Sequence, residues 1–379
     1  MNELKENVKM YNNIFQFATK ELSQDAIICW LLNWVRFPEH VLFQLATELF
    51  ALFGISSFDI YQDITIKQQI KKADIVVALH KQKTILVIED KTCSSEHDGQ
   101  IKKYKEIFSI KDNQTLLGNT SDMMYEIKTV YLKTGFCYDD DKSVIADVKI
   151  TANELFAVVS NERYHNKSEI LDNYVDYLRT IIEENKHYAD GFHNKNADGI
   201  YYVSYNAIAQ HELIRSIFPE LLWEKSSDVY KIVNGSSSGR PFSTIKICED
   251  IQYRYSTMED RFYSLSWRLD TNSQGPYLSL RIYDHGFDKS DELIVKNHVI
   301  RYDLYVVVCR RTLRQFQKDI NVEWSDIKDK YTGSFKDSSL LSFRLADYLD
   351  NWADRGEELK REIRLITEMV LKARHSINY

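Results

Sequence analysis

Cysteine pairs, surplus positive charge and long apolar runs are all missing from this chain of 379 residues. The five cysteines form no C-x-x-C pair, so their spacing indicates neither a zinc site nor a disulfide framework. The formal net charge of −7 argues against a general nucleic-acid coat protein, although a local patch can still bind phosphate. No apolar run approaches the roughly 20 residues that span a bilayer, and the first residues lack a signal peptide's apolar stretch. These absences predict a cytoplasmic protein without a membrane partner.

Two consecutive apolar runs, 73–79 and 85–91, are the most informative feature that is present. Each is rich in β-branched residues and has the length of a strand, and a polar segment separates them. This pattern predicts a hairpin of two buried strands.

Charged residues stand at one end of this hairpin: Asp74 begins the first run and Glu89-Asp90-Lys91 closes the second. Alternate side chains of a strand share a face, so Glu89 and Lys91 point the same way while Asp90 points to the other side. Asp74 can reach the same place across the hairpin. Two carboxylates this close repel each other, and a divalent cation such as Mg²⁺ or Mn²⁺ relieves that repulsion. A simple salt bridge at the strand ends is the alternative interpretation.

The order Asp74, a fourteen-residue spacer and Glu89-Asp90-Lys91 resembles the signature of the PD-(D/E)xK nuclease superfamily. Ala73 stands where that signature usually has proline. The resemblance implies metal-dependent hydrolysis of phosphodiester bonds. It implies that Asp74, Glu89 and the backbone carbonyl of Asp90 bind the metal, and that Lys91 serves the attacking water.

The segment after the lysine has apolar residues at helical spacing and carries Gln100 and Tyr104, which lie four apart on one face. A Gln-x-x-x-Tyr helix in this place resembles the RecB-like branch of the superfamily, in which these residues line the active site. The resemblance makes Gln100 and Tyr104 candidate catalytic residues. The alternatives are an ordinary surface amide and a core aromatic ring.

An acid on the first helix often joins the site in such nucleases, which makes Glu21 and Asp25 candidate metal ligands. Ser23 is predicted to cap that helix at its N-terminus. With this cap, Asp25 lies in the first turn, where an acid favours the helix dipole without any further role. Glu21 then precedes the helix.

The predicted fold is an α/β nuclease core, α-β-β-β-α-β with a mixed central sheet, followed by an α+β antiparallel-sheet domain. Polar residues and two glycines in 187–199 predict a linker between a nuclease domain, 1–186, and a second domain, 200–379. Short aromatic-rich runs in the second domain predict its antiparallel strands. The segment 340–352 is predicted to be helical.

Two groups of basic residues are candidates for contact with phosphate. One group surrounds the hairpin: Lys67, Lys71, Lys72, Lys81, Lys83, Lys102, Lys103 and Lys105. The other is a stripe in the second domain at positions i, i+4 and i+8: Arg310, Arg314 and Lys318. The alternative for both groups is a solvated surface.

These expectations combine into a metal-dependent nuclease that acts on DNA, in defence against foreign DNA as the resemblance suggests. An RNA nuclease is the alternative within the enzyme class. A non-catalytic protein that binds or senses nucleic acid on the same fold is the alternative outside it. The second domain is expected to position the substrate or to interact with a partner, and a homodimer interface is the competing account.

Overall fold

The computed structural model describes residues 13–18, 21–55, 63–92, 94–95, 99–218, 232–237, 239–253, 261–273, 275–285 and 337–374. The chain divides into two compact units, Met1–Lys186 and His187–Tyr379. Each unit has its own sheet and its own hydrophobic core. None of the described helices combines the length and the apolar character needed to cross a membrane.

The first unit is built on a mixed five-stranded sheet in the order β1-β2-β3-β4-β5. Its strands are β1 (Ile64–Ile70), β2 (Ala73–Leu79), β3 (Thr84–Lys91), β4 (Glu126–Lys133) and β5 (Val148–Thr151). The first three strands are antiparallel neighbours, whereas β3, β4 and β5 run parallel. Parallel neighbours need a crossover connection, which a helical segment supplies between β3 and β4.

Helices cover both faces of this sheet. They are α1 (Glu21–Asn33), α2 (Val41–Leu52), α3 (Gln100–Phe108), α4 (Lys111–Thr115), α5 (Asp139–Ser143), α6 (Ala152–Val159) and α7 (Glu169–Asp190). Every residue of β3 is buried, and its alternate positions join different cores. Ile88 packs in the core that includes α1, α2 and α7, whereas Val87 packs with Tyr104 and Phe108 of α3. The predicted mixed sheet flanked by helices is confirmed.

The predicted N-cap of the first helix is wrong, because α1 already includes Glu21 and Ser23 lies inside it. The buried face of α1 includes Gln24 and Asp25 as well as its apolar residues. The apolar periodicity in the sequence begins only at Ile27. Because Gln24 and Asp25 are polar, the pattern did not indicate that the first turn of α1 belongs to its buried face.

The second unit is an antiparallel five-stranded sheet in the order β10-β9-β8-β7-β6. Its strands are β6 (Ile232–Ser237), β7 (Arg240–Tyr253), β8 (Arg261–Asn272), β9 (Gly275–His285) and β10 (Asp337–Arg344). The helices in the described part of this unit are α8 (Ala207–Ile217), α9 (Ala346–Leu349) and α10 (Trp352–Arg374). The buried indole of Trp267 donates from Nε1 to Oγ1 of Thr367 at 2.9 Å and ties β8 to α10. The predicted antiparallel sheet is confirmed.

The helix predicted over 340–352 is wrong, because β10 extends to Arg344. Phe343 is buried opposite Leu278 of β9, while Ser342 and Arg344 on either side of it are not buried. A period of two therefore holds in this segment, and a short helix follows it.

Two further predictions for the second half of the chain concern the linker and the basic stripe. The segment 187–199, predicted as a linker, contains the last residues of α7, and Tyr188 and Phe192 pack against the core of the second unit. The stripe lies outside the described residues: Arg310, Arg314 and Lys318.

Candidate active site

The hairpin β2–β3 brings two acids and a lysine together at one end of the sheet. The two strands pair up to Ile75 opposite Ile88, and Asp74 and Glu89 are the next residues at that end of the hairpin. Nζ of Lys91 lies 2.6 Å from Oε1 of Glu89 and 3.8 Å from Oδ2 of Asp74. The backbone N–H of Asp90 donates to the same Oδ2 at 3.0 Å. The structure thus brings the three residues of the predicted signature into one cluster.

Burial and neighbouring charges shift the pKa values in this cluster. The pKa of Glu89 is raised to about 7, first by burial and second by the charge of Asp74, while Lys91 acts in the opposite direction. Burial on its own lowers the pKa of Lys91, but the hydrogen bond and charge of Glu89, together with the charges of Asp74 and Glu21, raise that pKa overall. Lys91 is therefore a cation at neutral pH, whereas burial and the charge of Asp74 favour the protonated form of Glu89.

Helix α1 adds two carboxylates to the cluster. Oδ2 of Asp25 accepts a hydrogen bond from Nε2 of Gln69 at 3.1 Å, and the same nitrogen donates to Oδ1 of Asp74 at 3.3 Å. The pKa of Asp25 is raised to about 7, first by burial and then by the charges of Asp74 and Glu21. Glu21 accepts a hydrogen bond from Oγ of Ser94 at 3.0 Å. Both helix candidates therefore lie within electrostatic reach of the hairpin acids.

Asp90 stands on the opposite face of β3 but belongs to the same electrostatic cluster. Its side chain is fully buried, and among the described residues neither carboxylate oxygen has a hydrogen-bond partner. Burial raises the pKa of Asp90 well above its ordinary range, and the charges of Asp25 and Asp74 raise it further. The role predicted for its backbone carbonyl stays a prediction. The buried acid itself is a feature that the sequence did not reveal.

Helix α3 turns Tyr104 toward the hairpin. Its hydroxyl donates to the carbonyl oxygen of Lys72 at 2.7 Å. Burial raises the pKa of Tyr104, and the charges of Glu89 and Asp74 raise it further, whereas a hydrogen bond with Gln100 lowers it. The half-buried Gln100 therefore contacts Tyr104, which in turn lies beside Glu89.

If the nuclease activity that the sequence resemblance implies is present, we expect Tyr104→Phe to lower it about 10-fold, as losing a supporting contact to a functional carboxylate does. The lost hydrogen bond to the Lys72 carbonyl also costs about 1 kcal/mol of stability. Steady-state cleavage rates and thermal unfolding check both effects. Tyr164→Phe is the matched control, because it removes another buried hydroxyl, one that donates to Glu48 at 2.9 Å. Equal loss of cleavage in both variants contradicts a site role for Tyr104.

A second buried lysine fixes the loop that follows Lys91. Lys133 stands beside Lys91 in the parallel register of β3 with β4. Its Nζ donates to the carbonyl oxygen of Ser94 at 2.5 Å and lies 3.6 Å from Oδ2 of Asp141. Since Ser94 also bonds to Glu21, Lys133 helps to hold that acid in place. No local pattern indicates this support, because a lysine at the end of a strand is ordinarily exposed.

The structure separates the lysines that flank the hairpin. Lys71 and Lys72 form the two-residue turn between β1 and β2, two residues before Asp74 at its nearer end, and both are exposed. Their φ angles are 54° and 71°, the left-handed values that a type I′ hairpin turn requires. Lys81 and Lys83 lie in the other turn, at the opposite end of β2. Only the first turn is in a position to serve the acid cluster.

The cluster offers many oxygen ligands and little positive charge. Its acids are Glu21, Asp25, Asp74, Glu89 and Asp90. Among the described residues, Oδ1 of Asp25 is buried without a hydrogen-bond partner, which suits a cation that prefers hard oxygen ligands. Within the same part of the chain, no three His, Cys, Asp or Glu side chains are already arranged around a metal position. The Lys91 ammonium lies against Glu89 instead, and Mg²⁺ or Mn²⁺ stays a prediction.

Comparison with known proteins found no matching family model, no matching curated protein and no matching solved structure. The case for a function therefore rests on the residues of this chain. They define an α/β unit with an acid-acid-lysine cluster at the end of its central strands.

Proposed function

We propose that this chain is a metal-dependent nuclease of the PD-(D/E)xK type that hydrolyses phosphodiester bonds in DNA. One observation carries the proposal: Nζ of Lys91 lies 2.6 Å from Glu89 and 3.8 Å from Asp74, on neighbouring strands. A strand-end salt bridge is the simpler account of that geometry. It does not explain why Asp25 and Asp90 are buried beside the same lysine, because unpaired buried carboxylates destabilise a fold.

The excess of acidic over basic side chains in the cluster supports a bound cation in the functional state. Burial and mutual repulsion raise the pKa values of Asp25, Glu89 and Asp90, and Lys91 is the lysine whose charge opposes all three shifts. A divalent cation supplies the missing positive charge and suits carboxylate oxygens. We assign its protein ligands to Asp74, Glu89 and Asp25. When bound, such a cation polarises a phosphoryl oxygen and lowers the pKa of a coordinated water.

The side chains around these acids have separate tasks. Lys91 is cationic, so it donates hydrogen bonds to the attacking water or to the developing negative charge and does not accept a proton. Tyr104 and Gln100 hold the Glu89 side of the site, since Tyr104 contacts both residues. Lys71 and Lys72 present two exposed charges beside Asp74, where a phosphate backbone can approach. We assign the second unit to substrate positioning.

The turn Lys71-Lys72 gives a prediction on binding. Left-handed backbone costs a non-glycine residue roughly 1–2 kcal/mol, and Asn-Gly is the favoured pair in this turn type. We expect Lys71→Asn combined with Lys72→Gly to raise the melting temperature and to weaken DNA binding. Because two phosphate contacts are lost, the slope of log K against log salt becomes shallower by about 2. DNA titrations at several salt concentrations measure that slope.

Lys83→Gly is the matched control for this turn. Lys83 has a φ of 53°, so glycine relieves the same kind of strain in the other turn of the hairpin. We expect a higher melting temperature and an unchanged salt slope. If the salt slope changes equally in the double variant and in Lys83→Gly, then Lys71 and Lys72 act only as solvated surface lysines.

Incubation of the purified protein with labelled DNA and labelled RNA tests the proposed function. We expect DNA cleavage with Mg²⁺ or Mn²⁺ and none with EDTA. Cleavage of RNA alone favours the ribonuclease alternative. Binding of nucleic acid without cleavage under any of these conditions favours a binding or sensing protein and contradicts the proposal.

A further inference from the structure

Gln69 lies in β1 between two residues that pair with the neighbours of Asp74 in β2. The pairing of β1 with β2 includes Gln68↔Ile75 and Ile70↔Ala73, and the position between them is not paired. Gln69 has a φ of 52°, which lies in the left-handed region that favours glycine. A long polar side chain is thus held in a backbone conformation that costs energy, within a strand that is otherwise regular.

The side chain of Gln69 connects two elements that are distant in sequence. Its Nε2 donates to Oδ2 of Asp25 on α1 at 3.1 Å and to Oδ1 of Asp74 on β2 at 3.3 Å. A side-chain amide nitrogen carries two hydrogens, so both bonds can form at once. With Oδ2 of Asp25 engaged, the other oxygen, Oδ1, is buried and accepts no hydrogen bond from the described residues.

We propose that Gln69 is a positioning residue that holds Asp25 and Asp74 side by side as joint ligands of a divalent cation. This inference rests on the proposed function. The amide keeps two mutually repelling carboxylates together without adding charge, and it leaves Oδ1 of Asp25 available to the cation. Hydrogen bonds of this kind fix the orientation of ligating carboxylates and tune the affinity for the metal.

Because the backbone of Gln69 is left-handed, a glycine substitution can distinguish a positioning role of this residue from a structural one. Gln69→Gly removes the amide and also relieves the left-handed strain, so the fold does not lose stability from the backbone change. We expect an unchanged or higher melting temperature together with a 10- to 100-fold lower affinity for Mn²⁺, measured by calorimetry, and a comparable loss of cleavage. Gln69→Met removes the donors at nearly the same size and strain, and it provides the test if the glycine variant fails to fold.

Two further measurements test how Gln69 affects Mn²⁺ binding. Lys83→Gly, the strain-relief control of the other turn, is expected to bind Mn²⁺ as the unmodified protein does. If Gln69 acts through Asp25, the effects of Gln69→Gly and Asp25→Asn on Mn²⁺ affinity are not additive. Wild-type Mn²⁺ affinity in both Gln69→Gly and Gln69→Met overturns the inference.

The metal-binding measurement also distinguishes this inference from the proposed function. If the unmodified protein binds Mn²⁺ but cleaves neither DNA nor RNA, the nuclease proposal fails, and the role of Gln69 in cation binding is still decided by the affinities. If the unmodified protein binds no Mn²⁺, both fail.

Discussion

If the chain is the proposed nuclease, we expect replacement of Lys91 by Met to lower cleavage strongly and to leave the protein able to bind Mn²⁺. The ammonium lies 2.6 Å from Glu89 and 3.8 Å from Asp74, where it competes with a cation for the same oxygens. Its removal therefore keeps or increases Mn²⁺ affinity, while the loss of a positioned donor lowers the cleavage rate by about 10²–10³-fold. Asp74→Asn, in contrast, loses both Mn²⁺ affinity and cleavage, because it removes a charged ligand. Calorimetric titration and single-turnover cleavage separate the two variants.

Lys105→Met is the control for these variants. Lys105 lies on α3, the helix that carries Tyr104, but its ammonium pairs with Asp147 at 2.8 Å and its side chain is 43% exposed. We expect cleavage within about twofold of the unmodified protein, because surface ion pairs contribute little. Full activity in Lys91→Met removes Lys91 from the site and leaves the salt bridge as its explanation.

Glu89→Gln makes the metal-free protein more stable, and the gain increases with pH. The pKa of Glu89 is raised from 4.5 to about 7 by burial and by Asp74. Between these values the folded state holds a proton that the unfolded chain has released, so stability falls as pH rises and the full loss is present above about pH 7. Glutamine does not ionise and avoids a penalty of the order of a few kcal/mol.

Thermal unfolding in EDTA across this pH range measures the difference between the two proteins. We expect nearly equal melting temperatures at the acid end and a higher value for Glu89→Gln above neutrality. Added Mg²⁺ then stabilises the unmodified protein more than the variant, since only a carboxylate at position 89 is a strong ligand. A difference that does not depend on pH shows that Glu89 titrates normally and contradicts the expectation.

The hairpin and its charged end could be predicted from the sequence because the signals are local. Continuous apolar runs rich in β-branched residues predict the strands, and the period of two of a strand determines which charged side chains share a face. Tyr104 and Gln100 were predicted to meet because a helical spacing of four is also local.

The contacts that complete the cluster could not be predicted, because they join distant segments. The bonds of Gln69 to Asp25 and of Ser94 to Glu21 depend on how α1 packs on the sheet. The residue types around Gln69 do not indicate its left-handed backbone. The sequence around Lys133 does not distinguish it from other lysines at strand ends. The wrong helix over 340–352 has a different cause, because the period of two around Phe343, which pairs with Leu278, is itself local and indicates a strand there.

The complete burial of β3 has a consequence for hydrogen exchange. This strand lies between β2 and β4, and all its side chains, including those of Glu89 and Lys91, are buried. Amide protons in such a strand exchange with solvent mainly through global opening of the unit, whereas those of an exposed turn exchange through local fluctuations. Deuterium uptake at β3 therefore reports the stability of the whole first unit. Uptake at the turn Lys71-Lys72 reports only local fluctuations of that turn.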